Sequence, residues 1–142
     1  MKKIGLLLVA VLAIVFTACE KEEEENNTYR AEYSDFHYGW KSFLEAEIKD
    51  DEISMIDFDY LDENGDRKSE TTQEDYPMDP HPTVWVPEYE SRLMNVDINN
   101  FSEVDVITGA TGAWGEANAL MEAVIDAYNN GDNTTQILIS EE

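Results

Sequence analysis

The stretch Gly112–Asn129 limits the fold more than any other part of the chain. Ala113, Ala117, Leu120, Met121, Val124, Ile125 and Tyr128 recur there at helical spacing and make one apolar stripe. Gly131 follows, where a left-handed C-terminal cap belongs. A helix with one apolar face needs a second layer to cover it. The upstream sequence supplies that layer as strands. Tyr29–Tyr33 reads as a short strand. Ser42–Ile48 alternates, with Phe43, Glu45 and Glu47 on one face and Leu44, Ala46 and Ile48 on the other. Lys49–Glu52 is a turn, and Ile53–Tyr60 returns with Ile56, Phe58 and Tyr60 alternating against Asp57 and Asp59. These two strands predict an antiparallel hairpin, and Asn64-Gly65 marks a second turn. Asp66–His81 reads as a loop with one helical turn, and Pro87 as a first-turn residue of a short helix reaching Met94. Val104–Ile107 and Gln136–Ser140 are the remaining strand candidates. The expected class is α+β: a small antiparallel sheet packed with a C-terminal amphipathic helix and one shorter helix.

The N-terminus addresses the chain to a compartment. Met1-Lys2-Lys3 is basic, and Ile4–Phe16 is apolar. That run falls short of the roughly 20 residues a membrane span needs and fits the apolar region of a signal peptide. Phe16-Thr17-Ala18-Cys19 resembles a bacterial lipobox, which implies cleavage before Cys19 and lipidation of its sulfur. The other reading is a buried thiol in an uncleaved anchor helix. Cys19 is the one cysteine of the sequence, so neither an intramolecular disulfide nor a multi-cysteine metal cluster is available. More than one acyl chain would give stable anchoring. The organisation expected is a cleaved signal peptide (1–18), a lipidated cysteine with an acidic tether (19–27) and one folded domain (28–142). The protein is then extracytoplasmic, held by lipid to the cell membrane or the outer membrane.

Charge restricts the partners. The chain carries 9 basic and 32 acidic residues, a net charge of −23, and loss of Lys2 and Lys3 with the signal peptide takes it to −25. Nucleic acid and anionic lipid would be repelled, whereas basic proteins and cations would not. Glu20–Asn27 holds no apolar residue and cannot pack, so it reads as a tether. It is either a plain spacer or, by its position after Cys19, a run similar to the surface-export signals of some outer-membrane lipoproteins.

Few constellations carry chemistry. His37 and His81 are far apart in sequence and read as loop histidines. Asp62, Asn64, Asp66 and Glu70 look like a loose calcium loop, but Gly65 is misplaced for an EF-hand, and a hairpin turn explains them better. There is no P-loop, no Gly-x-Ser-x-Gly elbow and no convincing triad. What remains is Asp105-Val106-Ile107-Thr108-Gly109-Ala110-Thr111, at the mouth of the long helix. Gly109 and Gly112 let backbone N–H groups turn inward, and a helix start offers free donors and the positive dipole end to a phosphate. A threonine hydroxyl there can cap the helix or carry a phosphoester. Trp114 stands where a capping box would need glutamate, so no box forms.

At this motif the chain resembles the FMN-binding domain family, whose exported members carry FMN through a phosphoester to threonine. The family pattern is Asp, two residues, Ser or Thr, Gly, Ala, then Ser or Thr; Asp105, Thr108, Gly109, Ala110 and Thr111 fill those places. The similarity extends to Thr28–Glu32, to Trp40–Tyr60, to Asn64–Ser69, and to Tyr76, Met78, Pro87, Tyr89 and Leu93. It departs at Asp51, where glycine is commoner, and at Gly112-Ala113-Trp114, where small hydroxylated residues are common. The resemblance implies covalent FMN on Thr111, placed there from FAD by a flavin transferase that reads Asp105 and its neighbours. Trp114 would stack on the flavin or pack in the core. It further implies an electron carrier in envelope or extracellular electron transfer, with redox proteins or a membrane quinone oxidoreductase as partners, rather than a substrate-specific enzyme. The acidic charge would disfavour the anionic reduced flavin and favour partners with basic faces. The alternative is a lipid-anchored binding or antigenic module of the same fold without flavin.

Overall fold

The computed structural model describes residues 25–141. The apolar run, Cys19 and most of the acidic tether lie outside the described residues. Strands β1 (Thr28–Tyr33), β2 (Lys41–Lys49) and β3 (Glu52–Leu61) are followed by a 3-10 turn at Lys68–Glu70. Helix α1 (Pro82–Leu93), helix α2 (Thr111–Asn130) and strand β4 (Gln136–Leu138) complete the order. The class is α+β, as the periodicities predict. The sheet runs β3-β2-β1-β4.

The alternation in β2 and β3 decides which face is covered. Leu44, Ala46 and Ile48 join Ile56, Phe58 and Tyr60, with Tyr29 and Ala31 from β1, on the face that meets the helices. The apolar stripe of α2 closes over it through Ala117, Leu120, Met121, Val124 and Ile125. On the opposite face Phe43 is also buried, under the guanidinium groups of Arg30 at 4.3 Å and Arg67 at 5.3 Å from its ring centre. Those cations are held by carboxylates: Arg30 by Glu32 and Glu45, Arg67 by Asp57. Long basic side chains here cover an aromatic ring while their charged ends stay partnered.

The β2–β3 hairpin turns through Asp50 and Asp51, both with positive φ, 51° and 63°. Two such residues suit a two-residue hairpin turn that usually recruits Asn or Gly. Aspartate is tolerated at Asp51 because Tyr128, at the end of α2, clamps it. The Tyr128 hydroxyl accepts from the Asp51 N–H at 2.9 Å and donates to its carboxylate at 2.8 Å. Gly131 ends α2 in the left-handed conformation, with its N–H on the Tyr128 carbonyl and that of Asp132 on the Ala127 carbonyl.

Three expectations need correction. First, β4 pairs parallel with β1, so the sheet is mixed rather than antiparallel throughout. Second, the shorter helix begins at Pro82, not Pro87. Pro82 occupies the first turn, and the His81 ring nitrogen accepts the Thr83 N–H at 3.2 Å, doing the work usually done by Ser or Asp. Pro87 lies inside the helix on its exposed side, where water can take the carbonyl its missing N–H would have bonded. Third, Val104–Ile107 is not a strand and joins no ladder among the described residues.

Glu90 ties α1 to the sheet, accepting the Phe58 N–H from β3 at 3.0 Å. Burial raises its carboxyl above the ordinary value, the Phe58 N–H opposes that, and Asp57 and Asp59 add to it. A raised carboxyl weakens the folded state where it must be ionised. Glu90→Gln keeps an acceptor for Phe58 and is therefore expected to raise the urea midpoint near neutral pH. The advantage over wild type should shrink as pH falls through the raised Glu90 value; an advantage constant across that range would contradict it.

Candidate functional site: a cleft at the start of the long helix

The motif is built by a turn and a hydroxyl. The Ala110 N–H bonds the Ile107 carbonyl at 2.9 Å, and Gly109 takes φ +87° at the third position of this turn, a conformation that favours glycine. A Cβ there would also stand 2.5 Å from Cδ of Pro80. The buried Tyr89 hydroxyl spans the turn, accepting the Ile107 N–H at 3.0 Å and donating to the Ala110 carbonyl at 2.8 Å. Upstream, side chains replace the missing ladder. Asn118 accepts the Val104 N–H at 2.9 Å, the Trp114 indole donates to the Val104 carbonyl at 2.6 Å, and Arg92 donates to the Asp105 carbonyl at 2.7 Å. The backbone of Val104–Ala110 is thereby fixed while the Asp105 and Thr108 side chains stay exposed.

Helix α2 begins at Thr111. Its N-cap is Ala110, which has no side chain to offer, and backbone bonding starts only with the Trp114 N–H to the Ala110 carbonyl at 3.1 Å. The N–H groups of Thr111, Gly112 and Ala113 therefore have no partner within the helix. Thr111 is the first helical residue, and its hydroxyl does not cap the helix. It is exposed, and space around Gly112 is open.

Beside this helix start lies a cleft of about 380 Å³. Gly109–Ala113 form one side, and Trp40, Tyr60, Tyr76 and Trp85 line the rest with aromatic surface. Trp85 and Tyr60 meet edge to face at 5.8 Å, as do Trp40 and Tyr76 at 6.2 Å. His37 and the fully exposed Tyr38 stand at its mouth. Three polar groups in the cleft are unmatched. The indole N–H of Trp85, in a residue only 2% exposed, has no acceptor, and one carboxylate oxygen of Glu116 has no donor. The Lys68 amine lies 4.4 Å, 4.8 Å and 5.5 Å from the ring centres of Tyr60, Tyr76 and Trp40, and it forms no ion pair among the described residues. Burial holds the Tyr60 phenol well above its ordinary value, and the nearby Glu116 carboxylate adds to this. Buried donors and acceptors are nearly always paired, and here the unmatched ones belong to residues that line one aromatic cleft.

Thr111 borders this cleft and also a second depression, formed with Glu103–Val106 and Trp114. Gly109, Ala110, Thr111 and Gly112 thus meet at the aromatic cleft, whereas Asp105 and Trp114 lie on the other side. Trp114 packs against the core and is bonded to Val104. The sequence does not single out Lys68, Tyr76, Trp85 and Glu116 as site residues, because they come from four separate segments. One signal was available: Arg67-Lys68 is a basic pair in a chain with few basic residues. Of the histidines, His37 hydrogen-bonds Ser140 at 2.9 Å and His81 caps α1. Asp62 accepts the N–H groups of Asn64 and Asp66, each at 2.9 Å, in a plain turn. Among the described residues no group of His, Cys, Asp and Glu is arranged to hold a metal.

No family model matches the chain. It is 31% identical over 126 residues to the 15 kDa lipoprotein of Treponema pallidum, an alignment covering 85% of this chain and 88% of that one. The chain belongs to the family of that lipoprotein. The crystal structure of a Clostridium perfringens protein shares the fold, with a TM-score of 0.72 over 81% of this chain and 97% of that one at 23% identity. Within the 15 kDa lipoprotein family, this member presents the exposed Thr111 directly after a turn held by Tyr89. That hold should be measurable. Tyr89→Phe leaves the Ile107 amide without a partner and the Ala110 carbonyl with the Trp114 N–H alone, a loss of about 1–3 kcal/mol in urea unfolding. Faster hydrogen exchange at the Ile107 amide should accompany it; unchanged exchange there would contradict the bridging role.

Proposed function

We propose that this protein is a lipid-anchored, extracytoplasmic flavoprotein that carries FMN as a phosphoester on Thr111 and passes electrons between redox partners. Family membership with a named lipoprotein supports the anchor, together with the lipobox-like sequence ending at Cys19. The flavin part rests mainly on one observation. Thr111 exposes its hydroxyl on an uncapped helix start, directly beside an aromatic cleft with unmatched polar groups.

The residues present fit the group. A phosphate on Thr111 would meet the free N–H groups and positive end of α2. A cleft of about 380 Å³ falls in the usual range for small ligands, roughly 300–1,000 Å³. The Trp85 indole N–H suits a ring carbonyl or ring nitrogen, and the free Glu116 oxygen suits a ring N–H. When bound, FMN supplies the electron-accepting chemistry. The chain's own residues have simpler tasks. The helix start holds the phosphate, the rings of Trp40, Tyr60, Tyr76 and Trp85 exclude water, and Lys68 and Glu116 set the local charge. A separate transferase would do the attachment, and the exposed Asp105 and Thr108 on their rigid backbone are available for it to read.

The test is co-expression with a flavin transferase in the exported compartment, followed by denaturation and inspection of the separated polypeptide for flavin fluorescence. Wild type and Thr111→Ser should fluoresce, and Thr111→Ala should be dark. A dark wild type would leave the unmodified lipid-anchored module as the function. Fluorescence persisting in Thr111→Ala would move the attachment point elsewhere.

A further inference from the structure

We propose that Lys68 is the positioning residue that pairs with the anionic, reduced form of the ring in this cleft and raises its potential. The role rests on the flavin reading above. The argument starts from a charge that lacks company. Lys68 is 9% exposed in a chain with 32 acidic and 9 basic residues, yet no carboxylate pairs with it among the described residues. Arg30, Lys41, Arg67 and Arg92 all have carboxylate partners. The neighbouring Arg67 reaches the outer face of the sheet and grips Asp57 with two bonds, at 2.6 Å and 2.7 Å. Lys68 goes to the other side, into the cleft, where three ring faces are its company.

Ring faces offset only part of the cost of burying a cation. An anion entering the cleft would complete the compensation. The Trp85 N–H, unpartnered and nearly fully buried in the same cleft, is a second donor set for an electron-rich edge. Glu116 lines the cleft too, and its carboxylate would oppose an anion there.

The redox step balances as follows. The oxidised ring takes two electrons from a reduced partner protein and one proton from water at N5. The negative charge remains at the N1–C2 carbonyl edge of the ring. An ammonium reaching that edge would favour the reduced form and lower the pH at which it picks up a second proton at N1. This opposes the effect expected of the overall acidic charge. Carboxylates spread over the surface are screened beyond roughly 8 Å at physiological salt, whereas a cation in the cleft is not.

The experiment uses the full flavinylated chain in wild-type, Lys68→Met and Lys68→Arg forms, titrated anaerobically with a chemical reductant across pH. Attachment is read separately, as fluorescence of the denatured polypeptide. All three forms should carry flavin. In Lys68→Met the equilibrium for reduction should fall at least tenfold at pH values where the wild-type ring is anionic, about 30 mV for a two-electron couple. The break from a one-proton to a two-proton slope should move to higher pH, and Lys68→Arg should recover most of both effects. A flavin-loaded Lys68→Met with unchanged midpoint and unchanged break overturns the proposal and leaves the flavin reading intact. A flavin-free wild type overturns both. Should Lys68→Met fail to load, the wild-type break decides: below that of free FMN supports the role, at or above it refutes it.

Discussion

The geometry of the site depends on one buried hydroxyl. Tyr89 receives the Ile107 N–H and gives its proton to the Ala110 carbonyl, so a single side chain closes both ends of the turn before α2. Few groups can do this; a phenol donates one hydrogen bond and accepts others from a rigid ring. The ring is anchored in turn, edge to face with Phe58 of β3 at 6.2 Å and with Trp85 of α1 at 6.4 Å. Sheet, short helix and motif therefore converge on one residue, and the first turn of α2 inherits its position from them. The same arrangement sets Trp85 into the cleft wall, which links the placement of Thr111 to that of the unmatched indole.

Where local periodicity carried the information, the sequence was a sufficient guide. The alternation in Ser42–Ile48 and Ile53–Tyr60 identifies both strands and their buried faces, and the stripe of Gly112–Asn129 with the glycine after it identifies the long helix; the observed elements are one residue longer at each end. It misled where the backbone of a segment was satisfied by distant side chains. Val104–Ile107 resembles a strand in sequence because three of its four residues are β-branched and apolar. Its partners, however, are Asn118, Trp114, Arg92 and Tyr89, which no periodicity connects to it. The parallel pairing of Gln136–Leu138 was equally hidden, since three residues state a preference for extension but not a direction. The Asp105–Thr111 motif is contiguous and could be read; the cleft beside it is assembled from separate segments and could not.

Net charge and local charge point in different directions in this molecule. A chain at −23 presents an acidic exterior to partners, and long-range attraction to basic faces follows from that alone. The interior of the cleft is set instead by Lys68 against Glu116. The split between Arg67 and Lys68, adjacent in sequence and opposite in destination, shows how a two-residue basic island serves both purposes. Arg67 secures the outer face of the sheet by pairing with Asp57 and covering Phe43, which leaves Lys68 as the cation available inside.

Capping and carrying are competing demands on a threonine at a helix start. A capping hydroxyl is turned toward the amides of the first turn and occupies the donors that a phosphate would use. A carrying hydroxyl must face outward and leave those amides free. Alanine at the N-cap, a threonine one position inside the helix and glycine next to it meet the second demand and sacrifice the first. A helix given no side-chain cap loses on the order of 1 kcal/mol, and here the buried stripe of α2 and the Tyr89 bridge keep the uncapped end in place. On the proposed reading that loss is the condition for the site: the amides left unsatisfied by the fold are those the phosphate would occupy.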